Sequence, residues 1–221
     1  MSQDLWTSVD NYLGEVLVRQ DRHLDDAVAA SEVAGLPPIQ VSPPQGKLLA
    51  ILIEMMGAKS ILEVGTLGGY STIWMAKALP ANGRIVTIEI DPKHAEVAQQ
   101  NFNRAGLSDK VELCTGNARD ILPDMIDEGA GPFDFVFIDA DKASNPDYFG
   151  WALEMSRPGT VIIVDNVIRE GHIIEADSED ASVKGVRRLN EVMAGNPRVT
   201  VTALQTVGVK GYDGFSVALV R

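Results

Sequence analysis

The fold is decided by a stretch in which an apolar run, a glycine-rich turn and a helical segment follow one another: Ser60-Ile-Leu-Glu-Val64-Gly-Thr-Leu-Gly-Gly-Tyr70-Ser-Thr-Ile-Trp-Met-Ala-Lys-Ala-Leu79. The run Ser60–Val64 has the length and composition of a buried strand, and Tyr70–Leu79 has the length and apolar spacing of a helix. We therefore expect a strand that ends in a tight turn and leads directly into a helix.

The same alternation of short apolar runs and helical segments continues towards the C terminus. Strands are predicted at Arg84–Glu89, Lys110–Cys114, Phe133–Ile138 and Thr160–Val164, and helices at Pro92–Ala105 and Asn117–Ile126. Because strands that alternate with helices build βαβ units, this order predicts a parallel sheet with helices on both faces.

The pattern changes after Asp165. A loop over Arg169–Ser182 and a helix over Val183–Ala194 precede two last strands, Arg198–Leu204 and Phe215–Val220. A segment with Gly208, Gly211 and Gly214 joins these two strands, and we expect them to form an antiparallel pair at one edge of the sheet.

The N-terminal segment, residues 1–42, is predicted to form a helical cap or lid. Its apolar residues recur at helical spacing, and Gly35-Leu36-Pro37-Pro38 breaks the pattern. A helix then starts with Ser42 as its N-cap and runs to about Gly57. Together with a core over residues 43–221, this makes a single α/β domain: a doubly wound, mostly parallel, Rossmann-like sheet of seven strands with an antiparallel edge strand.

The composition excludes several classes of protein. Of the 221 residues, 31 are Asp or Glu and 19 are Lys or Arg, which gives a formal net charge of −12. A chain this acidic repels phosphate backbones and anionic membrane surfaces, so nucleic-acid and membrane partners are not expected. Cys114 is the only cysteine, and the polar N-terminus lacks a signal-peptide pattern, so we expect a soluble cytoplasmic protein without disulfides.

Acidic side chains stand at the carboxyl ends of four of the five predicted parallel strands: Glu63, Glu89, Asp139 and Asp165. In open α/β sheets, ligands bind outside these strand ends. The acids therefore predict a ligand with cationic groups, with hydroxyls or with a metal. Alternatively, they cap the helices that follow the strands.

The first turn does not fit a dinucleotide site, because Leu67 and Tyr70 stand where that fingerprint requires its second and third glycines. Glu63 beside the turn would repel a pyrophosphate and attract an ammonium or a sulfonium group. Glu89, 24 residues after Gly65, lies near the spacing at which an acid binds ribose hydroxyls. A ribose together with a cation, without phosphates, describes S-adenosylmethionine.

Three oxygen-bearing residues follow neighbouring predicted strands: Asp139, Asp165 and Asn166. Oxygen ligands without Cys or His suit Mg²⁺ or Ca²⁺, and the three histidines of the chain are scattered. Lys142, three residues after Asp139, is either a base beside that metal or a solvated lysine at the start of a helix.

The motifs around these residues resemble the metal-dependent O-methyltransferases, a family that includes catechol O-methyltransferase and plant caffeoyl-CoA O-methyltransferase. The motifs are Glu63-Val-Gly-Thr-Leu-Gly-Gly-Tyr-Ser71, Thr87-Ile-Glu-Ile-Asp-Pro92, Phe137-Ile-Asp-Ala-Asp-Lys142 and Val164-Asp-Asn-Val167. The likeness extends from Val41 to the C terminus, and the Asp-Ala-Asp-Lys loop is typical of the bacterial and plant branch.

The resemblance implies a set of residues that bind S-adenosylmethionine: Val41, Glu63, Gly65, Thr66, Ser71, Glu89, Ile90, Ala118, Asp139 and Asp141. Val41 and Ser71 would contact the methionine part. Glu89 would hold the ribose hydroxyls, with Ile90 and Ala118 beside the adenine.

The resemblance also implies a divalent metal, Mg²⁺ with Ca²⁺ or Mn²⁺ as alternatives, bound by Asp139, Asp165 and Asn166. Lys142 matches the lysine that acts as the catalytic base in this family. The methyl acceptor would be a small phenol with two adjacent hydroxyls. The N-terminal segment would contribute to a substrate lid and to a homodimer interface.

Two further functions stay open at this point. Some bacterial relatives methylate a hydroxylated uridine in tRNA, and four basic residues cluster near the predicted loop: Arg169, Lys184, Arg187 and Arg188. A non-catalytic protein that binds S-adenosylmethionine would need the cofactor residues but not the loop Asp139–Lys142.

Overall fold

The computed structural model describes residues 2–19 and 21–221. Its α-helices are α1 (Gln3–Leu13), α2 (Arg22–Val33), α3 (Pro43–Met56), α4 (Tyr70–Ala78), α5 (Pro92–Ala105), α6 (Ala118–Asp127), α7 (Asn145–Glu154) and α8 (Ala181–Ala194). Its strands are β1 (Ser60–Val64), β2 (Arg84–Glu89), β3 (Val111–Thr115), β4 (Phe133–Ile138), β5 (Ser156–Asp165), β6 (Val199–Gly208) and β7 (Gly211–Val220). Short helical turns of other types cover Gly14–Val18, Lys142–Ser144 and Arg169–Ile174.

The strands form one seven-stranded sheet in the order β3-β2-β1-β4-β5-β7-β6. Strands β1 to β5 pair in parallel, whereas β7 is antiparallel to β5 and β6 is antiparallel to β7. This confirms the predicted Rossmann-like, mostly parallel sheet with an antiparallel edge. Because β1 lies between β2 and β4, the strand order reverses at β1, and a crevice forms there at the carboxyl ends of the strands.

The C-terminal hairpin is longer than predicted. Strands β6 and β7 pair along their whole lengths, and Gly208 pairs with Gly211 across a two-residue turn. Gly214, predicted to lie in the connection, is therefore inside β7. A Cβ atom at Gly214 would come within 2.0 Å of the Leu204 carbonyl oxygen, so this glycine permits close contact between strands rather than forming a turn.

Helix α7 has no counterpart among the sequence predictions. It opens with Pro146 in its first turn, a position that needs no backbone N–H donor. Its Tyr148 and Phe149 are buried against the sheet. The helix provides the crossover that the parallel neighbours β4 and β5 require, and β5 begins at Ser156 rather than at the predicted Thr160.

Apolar side chains pack against both faces of the sheet. In β4, Phe135 and Phe137 point to one face and Val136 and Ile138 to the other, because successive side chains of a strand alternate. Helices α3, α4 and α5 cover the first face, and α6, α7 and α8 cover the second. The strand ends that carry the polar residues are thereby held in fixed positions.

Helix α1 lies against the C-terminal hairpin. Gln3 Nε2 donates to the Gly208 carbonyl oxygen (2.9 Å), and the Val209 N–H donates to Asp10 Oδ2 (2.8 Å). Helix α2 packs instead against α4 and α5. The predicted N-terminal cap therefore contacts both the first half of the core and the turn between β6 and β7.

Candidate active site

The carboxyl ends of β1, β2 and β4 border a cavity of about 640 Å³, which we call the strand-end cavity. Its walls contain most of the predicted cofactor residues: Val41, Gly65, Thr66, Ser71, Glu89, Ile90, Ala118, Asp139 and Asp141. Lys142 and Asn166 also line it. The volume lies in the range of small-molecule and cofactor sites, and the fold brings these residues together from the N-terminal cap and from the ends of all five parallel strands.

Gly65 lets the turn after β1 approach the end of β4. Its backbone has a φ of 102°, which favours glycine, and a Cβ atom would lie 2.3 Å from the Asp139 carbonyl oxygen. The Asp139 N–H donates to the Val64 carbonyl oxygen (2.8 Å) beside this contact. The close packing of the two strand ends forms the floor of the strand-end cavity.

Glu63 does not line the cavity, in contrast to the prediction. Its side chain is completely buried, and three hydroxyls donate to its carboxylate: Ser71 Oγ (2.5 Å), Thr72 Oγ1 and Thr87 Oγ1 (2.6 Å). Burial raises the pKa of Glu63 to about 7, although these hydrogen bonds oppose the rise. Since Ser71 lies on the cavity wall, Glu63 orients a wall residue from behind.

Glu89 is held on the cavity wall by backbone donors. Its Oε2 accepts the Leu67 N–H (2.6 Å), and its Oε1 accepts the Asp91 N–H (3.0 Å) and lies 3.5 Å from His94 Nδ1. A carboxylate accepts several hydrogen bonds at once, so Glu89 has capacity left for a hydroxyl donor of a ligand in the cavity. The geometry suits the predicted contact with ribose hydroxyls.

Among the acids at these strand ends, Glu63, Glu89, Asp139 and Asp165 do not cap the helices that follow them; the N-caps of α4, α7 and α8 are Gly69, Ser144 and Asp180. Asp91, two residues after Glu89, is the N-cap of α5, and Asp141 caps the turn Lys142–Ser144. The alternative explanation, that the acids serve as helix caps, is therefore right for Asp91 and Asp141 and wrong for the other four.

Asp139, Asp165 and Asn166 lie at the ends of the adjacent strands β4 and β5. Asp165 is buried, and burial together with the charge of Asp139 raises its pKa to about 7, while Lys142 opposes the rise. Asn166 has a left-handed backbone with a φ of 55°, which Asn adopts more readily than most residues. A cation beside these carboxylates would relieve their mutual repulsion.

The donor set fits a hard divalent ion, because it consists of two carboxylates and one amide, all of which offer oxygen. Within residues 2–19 and 21–221, no three His, Cys, Asp or Glu side chains gather into a metal-binding group. A metal at this place therefore depends on the amide of Asn166 and on oxygens from a ligand or water.

Lys142 and Asp141 point to different partners on the loop after β4. Lys142 Nζ forms an ion pair with Asp139 Oδ1 at 2.7 Å, and its side chain is only 10% exposed, so it is not a solvated surface lysine. Asp141 accepts hydrogen bonds from the Tyr148 hydroxyl (2.6 Å) and the Ser144 N–H (3.0 Å). Burial raises the pKa of Asp141, but these bonds outweigh burial and lower it.

A second cavity, of about 300 Å³, shares Asn166 with the first. We call it the hairpin cavity, because its walls extend from Gln45, Asp165 and Asn166 to Lys210 and Tyr212 at the turn between β6 and β7. Sequence reasoning missed it, as it missed Tyr148 in the strand-end cavity. No motif marks these residues, and only the tertiary fold brings the C-terminal hairpin beside the end of β5.

Comparisons with known proteins agree with this geometry. The model of the O-methyltransferase family matches residues 15–218. The chain is 52% identical over 221 residues to the catechol O-methyltransferase of Niastella koreensis, with 100% of both chains covered. It is 51% identical over 213 residues to the catechol O-methyltransferase of Mycobacterium tuberculosis, with 96% of this chain and 95% of that one covered.

Two solved structures resemble the chain along its whole length. The O-methyltransferase from Bacillus cereus in complex with SAH has a TM-score of 0.98 and 53% identity, with 100% of both chains covered. TomG from Streptomyces achromogenes, an O-methyltransferase of tomaymycin synthesis in complex with SAM, has a TM-score of 0.96 and 50% identity, with 100% of this chain and 99% of that one covered.

The sheet order and the cavity at the strand ends define a Rossmann-like methyltransferase fold. The family match and the identity to relatives along the whole chain go further. The chain belongs to the O-methyltransferase family. The resemblance stated from the sequence motifs is thereby confirmed, and so is the prediction that the protein is an enzyme of this class.

Proposed function

We propose that the protein transfers a methyl group from S-adenosylmethionine to one hydroxyl of a vicinal-dihydroxy aromatic molecule, with the help of a divalent metal. One observation carries the proposal: two cavities meet at Asn166, beside Asp139, Lys142 and Asp165. The strand-end cavity would hold the methyl donor and the hairpin cavity the acceptor, so that the reacting atoms meet where the polar residues converge.

The strand-end cavity suits the donor by its charge and its shape. Glu89 offers a carboxylate to ribose hydroxyls, and Gly65 lets a ligand approach the backbone. The acids on the wall favour a cationic sulfonium and disfavour the phosphates of a dinucleotide. The relatives from Bacillus cereus and Streptomyces achromogenes, solved with SAH and SAM, support the same donor.

Asp139, Asp165 and Asn166 would hold the metal, with Mg²⁺ as the expected ion and Ca²⁺ or Mn²⁺ as alternatives. A divalent ion bound there would favour the phenolate form of a chelated diol at neutral pH. Its charge would also keep Asp165 ionised despite burial.

As the ammonium paired with Asp139, Lys142 would stabilise the phenolate that forms; it would accept the phenolic proton at Nζ only as the neutral amine, because an ammonium has no lone pair for a further proton. Asp139 fixes the position of that ammonium through the 2.7 Å ion pair. The walls of the two cavities would hold donor and acceptor in line, and such positioning can supply roughly 7–11 kcal/mol of the barrier reduction.

The proposal is tested by incubating the purified protein with S-adenosylmethionine and catechol, with Mg²⁺ or with EDTA, and measuring the methylated product by mass spectrometry. We expect turnover with Mg²⁺, strong loss with EDTA, and loss of both activity and metal dependence in Asp139→Ala. Asp124→Asn, which changes an exposed acid of α6, serves as the matched control and should behave like the wild type. Turnover that survives EDTA would contradict the metal assignment.

The geometry disfavours tRNA as the acceptor. Of the four residues of the basic cluster near β5, Arg169 lies 3.7 Å from Asp213, Lys184 pairs with Glu179 at 2.6 Å and Arg187 Nη1 donates to a backbone carbonyl. Arg188 is exposed and is left as a single basic residue for an RNA phosphate. Charges that are already paired give little of the phosphate attraction on which RNA binding depends. The relatives named catechol O-methyltransferase also favour a small molecule.

The homodimer stays a prediction. Five apolar side chains of α1 and of the turn Gly14–Val18 are exposed: Leu5, Val9, Tyr12, Val16 and Leu17. A second copy of the chain that covered them would remove this apolar surface from water. Light scattering should give twice the mass of one chain, and a monomer would contradict the prediction.

In the two described ranges, no helix has the length and apolar character needed to cross a membrane.

A further inference from the structure

The hairpin cavity joins two chemically different places. At one end it is lined by Asp165 and Asn166, the proposed ligands of the metal. At the other end it is lined by the turn between β6 and β7, with Lys210. A molecule that fills the cavity with its diol at the metal ligands therefore presents another of its substituents to the turn.

Lys210 is the one basic residue on the wall of this cavity within the described part of the chain. Its Nζ donates to the Pro38 carbonyl oxygen (2.8 Å), and it takes part in no ion pair among residues 2–19 and 21–221. An ammonium has three N–H donors, so the bond to Pro38 leaves two for other partners. Partial desolvation lowers the pKa of Lys210 although the residue is exposed, and an anion beside it would offset that cost.

The acids on the same wall have other partners. Asp10 Oδ2 accepts a backbone N–H of the hairpin turn (2.8 Å), and Asp213 Oδ1 accepts two from the loop after β5 (2.9 and 3.1 Å). Asp165 belongs to the proposed metal site. Glu170 is exposed, and its charge acts on His172, which does not line the cavity. Among the described residues, no acid of the wall forms an ion pair with Lys210.

We propose that Lys210 binds a carboxylate on the acceptor, so that the preferred substrate is a dihydroxyaromatic acid rather than a neutral or cationic diol. This inference rests on the proposed function, because it assumes that the diol lies at Asp165 and Asn166. Lys210 touches the acceptor away from the reacting oxygen and is therefore a specificity residue and not a catalytic one.

The test compares kcat/KM for 3,4-dihydroxybenzoate, catechol and dopamine in the wild type and in three variants. Lys210→Met removes the charge and the donors, Lys210→Gln keeps a donor for the Pro38 carbonyl, and Lys210→Arg keeps the charge. Lys184→Gln, a surface lysine paired with Glu179, is the matched control. Calorimetry of 3,4-dihydroxybenzoate with the S-adenosylhomocysteine complex of each variant gives a second readout that does not depend on turnover.

We expect the wild type to prefer 3,4-dihydroxybenzoate. Lys210→Met and Lys210→Gln should lower kcat/KM for this acid, relative to kcat/KM for catechol, by roughly 10- to 100-fold, because each variant loses a charge-assisted hydrogen bond. Lys210→Arg and Lys184→Gln should keep the preference, and the relative rate for dopamine should rise when the charge is removed. Calorimetry should show the same loss of affinity for the acid.

Two outcomes would overturn the inference. An equal loss for acid and catechol in Lys210→Gln would mean that the lysine only supports the hairpin, and an unchanged ratio would mean that it does not touch the acceptor. In both cases catechol turnover by the wild type would leave the proposed function intact. Turnover of none of the three diols would overturn the proposed function, and this inference with it.

Discussion

Replacing Glu63 with Gln should change how the stability of the protein depends on pH. Glu63 is completely buried and, among residues 2–19 and 21–221, forms no ion pair, so the hydroxyls of Ser71, Thr72 and Thr87 hold its ionised form. The Gln amide has nearly the same shape and can keep polar contacts with these hydroxyls, but it carries no charge and does not titrate. The substitution therefore isolates the cost of the buried charge.

The magnitude follows from the pKa of Glu63, which burial raises from the ordinary 4.5 to about 7. Below pH 4.5 the carboxyl is protonated in both folded and unfolded chains, and no penalty arises. Between pH 4.5 and 7 the unfolded chain is ionised while the folded chain keeps its proton, so stability is lost across this range and changes little above it. With about 1.4 kcal/mol for each unit of pKa difference, the full penalty is about 3 kcal/mol, most of which develops between pH 4.5 and 7.

The assay is urea denaturation of the wild type and of Glu63→Gln at both ends of this pH range. The free energy of unfolding of the wild type should fall relative to the variant by roughly 2–3 kcal/mol on going to the higher pH. Glu54→Gln, at an exposed position of α3, should show no such relative change. Parallel pH dependence in the wild type and Glu63→Gln would refute the reasoning, because Glu63 would then not carry the buried charge.

Three other predictions test the turn, the sheet and the catalytic loop. Gly65→Ala should destabilise the protein by about 2 kcal/mol or more, measured by urea denaturation, because the new Cβ meets the Asp139 carbonyl oxygen at a strained φ; wild-type stability would contradict the proposed packing of the strand ends. Asp134→Asn should cost about 1–2 kcal/mol near pH 7, because Asp134 accepts two backbone N–H groups and pairs with Arg157. Burial raises the pKa of Asp134, but these partners outweigh burial and lower it below 3.8. The difference in unfolding free energy between Asp134→Asn and the wild type should therefore vanish as the pH falls through that lowered pKa. A difference that persisted in acid would mean that the charge of Asp134 does not stabilise the fold. Lys142→Met should lower kcat by roughly 10²- to 10⁴-fold with little change in the affinity for S-adenosylmethionine measured by calorimetry, and a small effect on kcat would reject Lys142 as the base.

The sheet could be predicted because its strands are marked by local sequence. Short apolar runs such as Ser60–Val64 and Phe133–Ile138 are bounded by polar and glycine-rich turns, and their alternation with helical segments fixes a parallel order. Helix α7 was missed because polar residues and Pro146 at its start resemble a loop. Gly214 was misplaced because a glycine that permits close strand contact looks the same in sequence as one that forms a turn.

The candidate site was predictable at the strand ends and not beyond them. The sequence shows that Glu63 follows an apolar run, but not whether its carboxylate points into a cavity or into the hydroxyls of the next helix. Asp139, Asp165 and Asn166 could be grouped because the carboxyl ends of parallel strands lie at one edge of the sheet. Lys210 could not, because its place on the wall of the same cavity as Asn166 depends on how the whole hairpin folds back.

The most direct test of the metal-dependent account is anomalous scattering from crystals grown with Mn²⁺, S-adenosylhomocysteine and 3,4-dihydroxybenzoate. The account predicts a manganese peak bordered by Asp139, Asp165 and Asn166, with the diol beside it and the cofactor product in the strand-end cavity. The absence of a peak at these three residues, or side chains that point away from one another around it, would contradict the account.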